Sequence, residues 1–87
     1  MKTFDYGVKE QLGIHARPAV MLAMECKRYE SKIIISLNGK NADASDVVAI
    51  MGLNIKFGDT IRVEVTGKDE DMAYDRIKDF FFHSLTL

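Results

Sequence analysis

Asn38-Gly39 is the feature that most narrows what this chain can fold into. Both residues tolerate the positive φ angles of a type I′ turn, the tight connection whose twist matches that of two paired strands. The stretch before it, residues 32–37, places Ile33, Ile35 and Leu37 on one face. A short strand is therefore expected to return from Lys40 to about Asp43. Residues 60–66 alternate most clearly: Ile61, Val63 and Val65 against Thr60, Arg62, Glu64 and Thr66. That period of two describes an antiparallel strand with one wet face. Residues 2–8 repeat the pattern, with Phe4, Tyr6 and Val8 on one side and Thr3 and Asp5 on the other.

Three helical stretches separate these strands. From Ala16 to about Tyr29, the residues Ala19, Leu22, Ala23 and Cys26 recur at spacings of three and four, opposite Glu25, Lys27 and Arg28. From Asp69 to about Phe82, Ala73, Ile77, Phe80 and Phe81 do the same, and Asp69, Glu70 and Asp71 suit the positive end of the helix dipole. A short helix from Asp46 to Leu53 is expected, capped by Ser45 or Asp46. The order is βαββαβα. One apolar stripe per helix and one apolar face per strand call for an α+β open-faced β-sandwich, a four-stranded antiparallel sheet covered on one side by three helices. Ferredoxin-like domains have a related order, so element order alone does not select the fold.

With 87 residues, residues 1–87 are read as a single domain with a thin core. The formal net charge of −1 argues against a general nucleic-acid partner. No run approaches the roughly 18 apolar residues of a membrane span, and no apolar signal region follows Met1-Lys2-Thr3-Phe4-Asp5. The lone Cys26 excludes an internal disulfide, and a cytoplasmic location is expected. Cys26 reads as a small core residue, His83 as a solvated residue in a frayed terminal turn, and Tyr29 and Phe80 to Phe82 as core or capping aromatics. The two histidines lack the clustering a metal site requires, so no metal and no cofactor is expected.

The stretch Gly13-Ile14-His15-Ala16-Arg17-Pro18-Ala19 carries the chemistry. Proline belongs in the first turn of a helix, where its missing N–H has no partner to lose. Pro18 therefore marks a helix start and puts His15 at or near the N-cap. The amides of Ala16 and Arg17 then stay unpaired, which makes an anion site. Imidazole is partly neutral near pH 7 and can act as a nucleophile. Two amides and the Arg17 guanidinium can hold phosphoryl oxygens. Phosphoryl transfer asks mainly for positioning and charge stabilisation, which a small exposed site supplies. Taken singly, His15 could be a loop residue that caps a helix and Arg17 a solvated charge; the joint arrangement, with glycine before and proline after, favours the phosphoryl carrier. An enzyme with its own turnover is not expected, since no second acid, base or metal site is visible.

The run from Gly13 to Ala19 resembles the active-site signature of the HPr family, the histidine-containing phosphocarriers of the bacterial sugar phosphotransferase system. The likeness extends over nearly the whole chain: Asn38-Gly39-Lys40 resembles the family's turn between its second and third strands, and Met51 to Gly58 its helix-to-strand link. The resemblance implies that His15 accepts a phosphoryl group at Nδ1 from enzyme I, which takes it from phosphoenolpyruvate, and passes it to the A domain of a sugar permease. Transcriptional regulators are further candidate partners, and a monomer suits a shuttle. Family partners dock on an apolar patch ringed by basic residues. Here Val47, Val48 and Met51 are its apolar candidates, and Lys27 and Arg17 its basic ones, although Val48 and Met51 also read as ordinary core.

The sequence departs from the family at several positions. Asp46 stands where many Gram-positive relatives carry a serine phosphorylated by a regulatory kinase; aspartate is a good helix cap and a permanent, smaller negative charge. Leu12 stands where the family often has Asn or Ser, and Met24 and Glu25 make the first helix less basic. Two other readings follow: a carrier in a chain that regulates carbon or nitrogen metabolism, and a binding module that has lost the chemistry. Retention of both His15 and Arg17 argues against the latter.

Overall fold

The structure, a computed structural model, describes residues 1–85. Its elements follow the expected order: β1 (Lys2–Gly7), α1 (Ala16–Cys26), β2 (Lys32–Leu37), β3 (Lys40–Asp43), α2 (Val47–Gly52), β4 (Thr60–Thr66) and α3 (Glu70–His83). The four strands form one antiparallel sheet in the order β1-β4-β2-β3.

The register aligns the apolar sets read from the sequence. Tyr6 faces Ile61, Phe4 faces Val63, and Val63 also faces Ile35. All are buried, as are Ile33, Leu37, Ala42 and Val65. The helices cover that face with Ala19, Leu22, Ala23 and Cys26 from α1, Ile50 from α2, and Ala73, Ile77 and Phe81 from α3. Phe4 and Tyr6 meet the Phe81 ring at 5.6 and 4.9 Å between centroids, in tilted and edge-on arrangements that suit aromatic quadrupoles. Asn38 and Gly39 have φ of 50° and 82°, the positive pair a type I′ connection demands.

Element ends differ from expectation by small, explicable amounts. Helix α1 stops at Cys26 rather than near Tyr29. Beyond it the amides of Arg28 and Tyr29 bond back only three residues, to Glu25 and Cys26, which tightens the end out of the α form. Helix α2 is capped by Asp46, not Ser45: Asp46 Oδ1 accepts the Ala49 amide at 3.2 Å, while the Ser45 hydroxyl donates to Asp43. Helix α3 starts at Glu70, because the Asp69 carboxylate turns away to accept from the Glu30 and Ser31 amides and the Ser31 hydroxyl. His83 is the last residue of α3 rather than part of a frayed turn; it is exposed, with Nε2 3.6 Å from Asp79 Oδ1. Of the C-terminal aromatics, Phe81 is core and Phe80 packs against it, while Phe82 is 42% exposed with its ring against Tyr6. Cys26 is core, and burial pushes its thiol up to about 12. No helix among the described residues is long and apolar enough to cross a membrane.

Candidate functional site

The site is built where the chain leaves β1 and enters α1. Val8 is tied to the segment before β4: its amide donates to Asp59 and its carbonyl accepts from Gly58. Ile14 is tied to the same segment through Ile55. Between these anchors the chain closes a turn in which the Gly13 amide donates to the Glu10 carbonyl at 2.9 Å. Gly13 has φ of 74°, and a Cβ there would land on the carbonyl oxygen of Ile55. The glycine is thus demanded twice, by the backbone angle and by the close approach of the Ile55–Lys56 backbone.

His15 is the N-cap of α1, as the sequence predicts. Its carbonyl accepts the Ala19 amide at 2.8 Å, the first bond of the helix. Its ring is exposed and makes no capping hydrogen bond. Pro18 occupies the third helical position, so the amides left without intrahelical acceptors in the first turn belong to Ala16 and Arg17. No acidic residue stands in that turn. Arg17 is exposed, and among the described residues no ion pair involves it. His15 and Arg17 line one shallow depression of about 460 Å³, together with Lys9, Glu10 and Leu85. The arrangement offers an imidazole without a hydrogen-bond partner among the described residues, two amides, a guanidinium and the positive end of a helix dipole at one point on the surface. Such a place can hold a small dianion covalently attached to His15 while leaving it open to a partner.

The partner-surface candidates are distributed unevenly. Val48 is 80% exposed and Met51 44%, so neither is core; Val47 is half-buried against the core. Lys27 lies just past the C-terminal end of α1, about 18 Å along the axis from His15. Arg17 is beside the histidine and Lys27 is not. Exposed Leu12, Val20, Met24 and Phe57 add apolar surface that the candidate set left out. The negative charge of Glu25 is offset in part by Arg28, 3.4 Å away, and its carboxylate also accepts from the Tyr29 hydroxyl.

Sequence reasoning missed one feature of the site. Glu10 is buried, and its carboxylate accepts the Tyr6 hydroxyl at 2.9 Å and the Lys9 amide at 3.2 Å. The signal was available as an apolar-face tyrosine followed four residues later by a glutamate at a strand's end. Among the described residues, no group of three or more His, Cys, Asp or Glu converges as a metal site would.

Over residues 2–82 the chain matches the family model described as the PTS HPr component phosphorylation site. It is 34% identical over 79 residues to the phosphocarrier protein HPr of Mycoplasma genitalium, with 90% of each chain covered. It is 36% identical over 77 residues to the HPr of Lysinibacillus sphaericus, with 88% of each covered. Among solved structures it resembles a mycoplasma histidine-containing phosphocarrier protein at a TM-score of 0.92 and 30% identity, over 99% of this chain and 98% of that one. It also resembles an HPr dimer of Thermoanaerobacter tengcongensis at a TM-score of 0.76 and 26% identity, over 98% of each.

Proposed function

The chain belongs to the HPr family of the phosphotransferase system, and from that premise we propose that it accepts a phosphoryl group from phospho-enzyme I on His15 and delivers it to the A domains of sugar permeases. The observation that supports this most is the open start of α1, where an exposed imidazole, with no hydrogen-bond partner among the described residues, stands at the N-cap before Ala16 and Arg17, whose amides lack intrahelical acceptors. The neutral ring attacks phosphorus through Nδ1, the bond from phosphorus to the donor atom of enzyme I breaks, and the new P–N bond carries the group away. The amides of Ala16 and Arg17 and the Arg17 guanidinium take the charge on the phosphoryl oxygens, which is where such transfer needs help. Exposure lets successive partners reach the same group. The exposed faces of Val48 and Met51 suit the apolar part of a docking surface, and Arg17, beside His15, its charge. A monomer fits a shuttle, although a Thermoanaerobacter tengcongensis relative is described as a dimer.

Incubation with phosphoenolpyruvate and catalytic enzyme I tests the reading. The wild-type protein should gain one acid-labile phosphoryl group by intact mass and ³¹P NMR, His15→Ala should gain none, and added permease A domain should discharge the adduct. A folded wild-type protein that takes no phosphoryl group from several enzyme I sources overturns it.

Regulation at residue 46 follows a separate proposal: the chain escapes the kinase that acts on serine there. Asp46 already caps α2, and the neighbouring Ser45 hydroxyl is engaged with Asp43 at 2.7 Å. Phosphosite mapping after kinase treatment should find no phosphoserine; a modified Ser45 would end the idea.

A further inference from the structure

The loop that presents His15 has few internal ties. Residues 9–13 are anchored at either end, through Val8 and Ile14, to the segment before β4. Within the loop Lys9, Gln11 and Leu12 point outward, and Leu12 is 79% exposed. Glu10 alone sends a side chain inward. A buried carboxylate is costly unless hydrogen-bonded, and this one is met by the Tyr6 hydroxyl and the Lys9 amide. Tyr6 is itself enclosed: it is 1% exposed and packed against the rings of Phe81 and Phe82 at 4.9 and 5.2 Å. Burial, reinforced by the bond to Glu10, raises the Tyr6 hydroxyl above its ordinary range, so it remains a donor at any working pH. The same Glu10 then offers its backbone carbonyl to the Gly13 amide, two residues before His15. A rigid strand residue is thus connected to the N-cap by one side chain and one turn.

We propose that Glu10, locked by Tyr6, is a positioning residue for phosphoryl acceptance: the Tyr6–Glu10 hydrogen bond sets the turn that aims the His15 ring over the amides of Ala16 and Arg17. Glu10 acts through the backbone of Gly13 to His15 and does not touch the phosphoryl group. The inference rests on His15 being the acceptor. Displacements near an ångström in such sites reduce rates by up to about a hundredfold without altering the reacting groups. The effect therefore belongs in the maximal transfer rate, while the docking surface on α1 and α2 keeps its half-saturation.

Single-turnover transfer from phospho-enzyme I, measured across carrier concentrations, provides the test, with Glu10→Ala, Glu10→Gln and Tyr6→Phe compared at matched folded fraction by circular dichroism. Glu10→Ala and Tyr6→Phe should lower the maximal rate about tenfold with half-saturation unchanged. Glu10→Gln, which keeps the shape and can still bond Tyr6 and Lys9, should recover to within about twofold. A folded Glu10→Ala at the wild-type rate, or a Glu10→Gln as slow as Glu10→Ala, overturns the proposal. If Glu10→Ala does not fold, Tyr6→Phe decides it by the same criterion. Hydrogen exchange of the Gly13 amide in the unphosphorylated proteins gives a second reading that needs no enzyme I. Exchange should be faster in Glu10→Ala than in wild type and near wild type in Glu10→Gln; equal protection in all three overturns the positional link. A wild-type protein that takes no phosphoryl group would instead defeat the phosphocarrier reading, and the exchange result would show whether the turn is held as described.

Discussion

Helices α1 and α3 begin with opposite chemistry. The first turn of α3 carries Glu70 and Asp71; Glu70 reaches back to accept the Gly67 amide at 3.0 Å, and Asp69 binds the Glu30 and Ser31 amides beside it. Helix α2 follows the same rule on a smaller scale, with Asp46 on the Ala49 amide. Helix α1 does the reverse. Its cap His15 makes no side-chain hydrogen bond among the described residues, its first turn holds no acid, and Arg17 adds a cation where the dipole is already positive. Acidic side chains stand at two helix starts, as the cap of α2 and as first-turn charges on α3, and the start of α1 has neither. The stability forgone there is about 1 kcal/mol, the usual worth of a cap, small beside the charge stabilisation a bound phosphoryl group would receive.

Giving α1 what α3 has should break the comparison most sharply. Ala16→Glu places a carboxylate in the first turn, where it competes for the free amides and repels an incoming phosphoryl group. Transfer to His15 should fall about a hundredfold or more, while the urea midpoint rises by the equivalent of about 0.5 kcal/mol. An Ala16→Glu protein that accepts phosphoryl groups normally would show that the open helix start is not where the anion sits. Arg17→Ala tests the cation alone. Transfer should drop about a hundredfold, with stability within about 0.5 kcal/mol because the side chain is exposed and unpaired among the described residues. A large stability change with transfer intact would assign Arg17 to structure instead.

The difference between the helix starts was partly legible in the sequence. Asp69, Glu70 and Asp71 on one side and His15, Arg17 and Pro18 on the other can be read directly, and so can the Asn38-Gly39 hairpin, because each acts within a few residues. What escaped was long-range or a matter of competing partners. Asp69 lies in the acidic run expected to serve α3, yet it spends its carboxylate on Glu30 and Ser31, far away in sequence. Val48 and Met51 read as surface candidates that could equally be core, and only the packed fold, in which Ile50 is the buried residue of α2, decides between the two. Glu10 carried no reading from the sequence, since its burial depends on Tyr6 lying under the loop. Gly13 was legible as a turn; that it also admits the Ile55 backbone was not.

Smaller effects sharpen the contrast at α2. Asp46→Ala removes the Ala49 bond and should cost about 1 kcal/mol in urea unfolding. Asp46→Ser, which can cap equally well, should be nearly neutral. Transfer to His15 at saturating partner should change less than about twofold in both, since residue 46 caps α2 and does not line the depression that holds His15. A silent Asp46→Ala would mean that water caps α2 as well as aspartate does.

The smallest effect is set by pH at the start of α3. Hydrogen bonds from the Ser31 hydroxyl and the Glu30 amide hold the Asp69 carboxyl below its ordinary range, and the Gly67 amide and the N-terminal ammonium do the same for Glu70. A carboxylate whose folded pKa is depressed adds stability that is complete above its unfolded value, near 4, and disappears as pH falls through the lower folded value. The urea midpoint should therefore be level at neutral pH and decline below about pH 4. Asp69→Asn should be less stable than wild type at pH 7 and should approach it in acid, because both then present an uncharged group to Ser31. Salt should weaken the Glu70 part, which faces the ammonium at the surface 3.0 Å away, and spare most of the Asp69 part, which rests on hydrogen bonds. At α1 no carboxylate among the described residues is engaged in this way, so the His15→Ala protein should show the same acid decline as wild type. A decline that changed with His15 would mean that the two helix starts are electrostatically coupled, and that α1 is not the independent, open site its first turn describes.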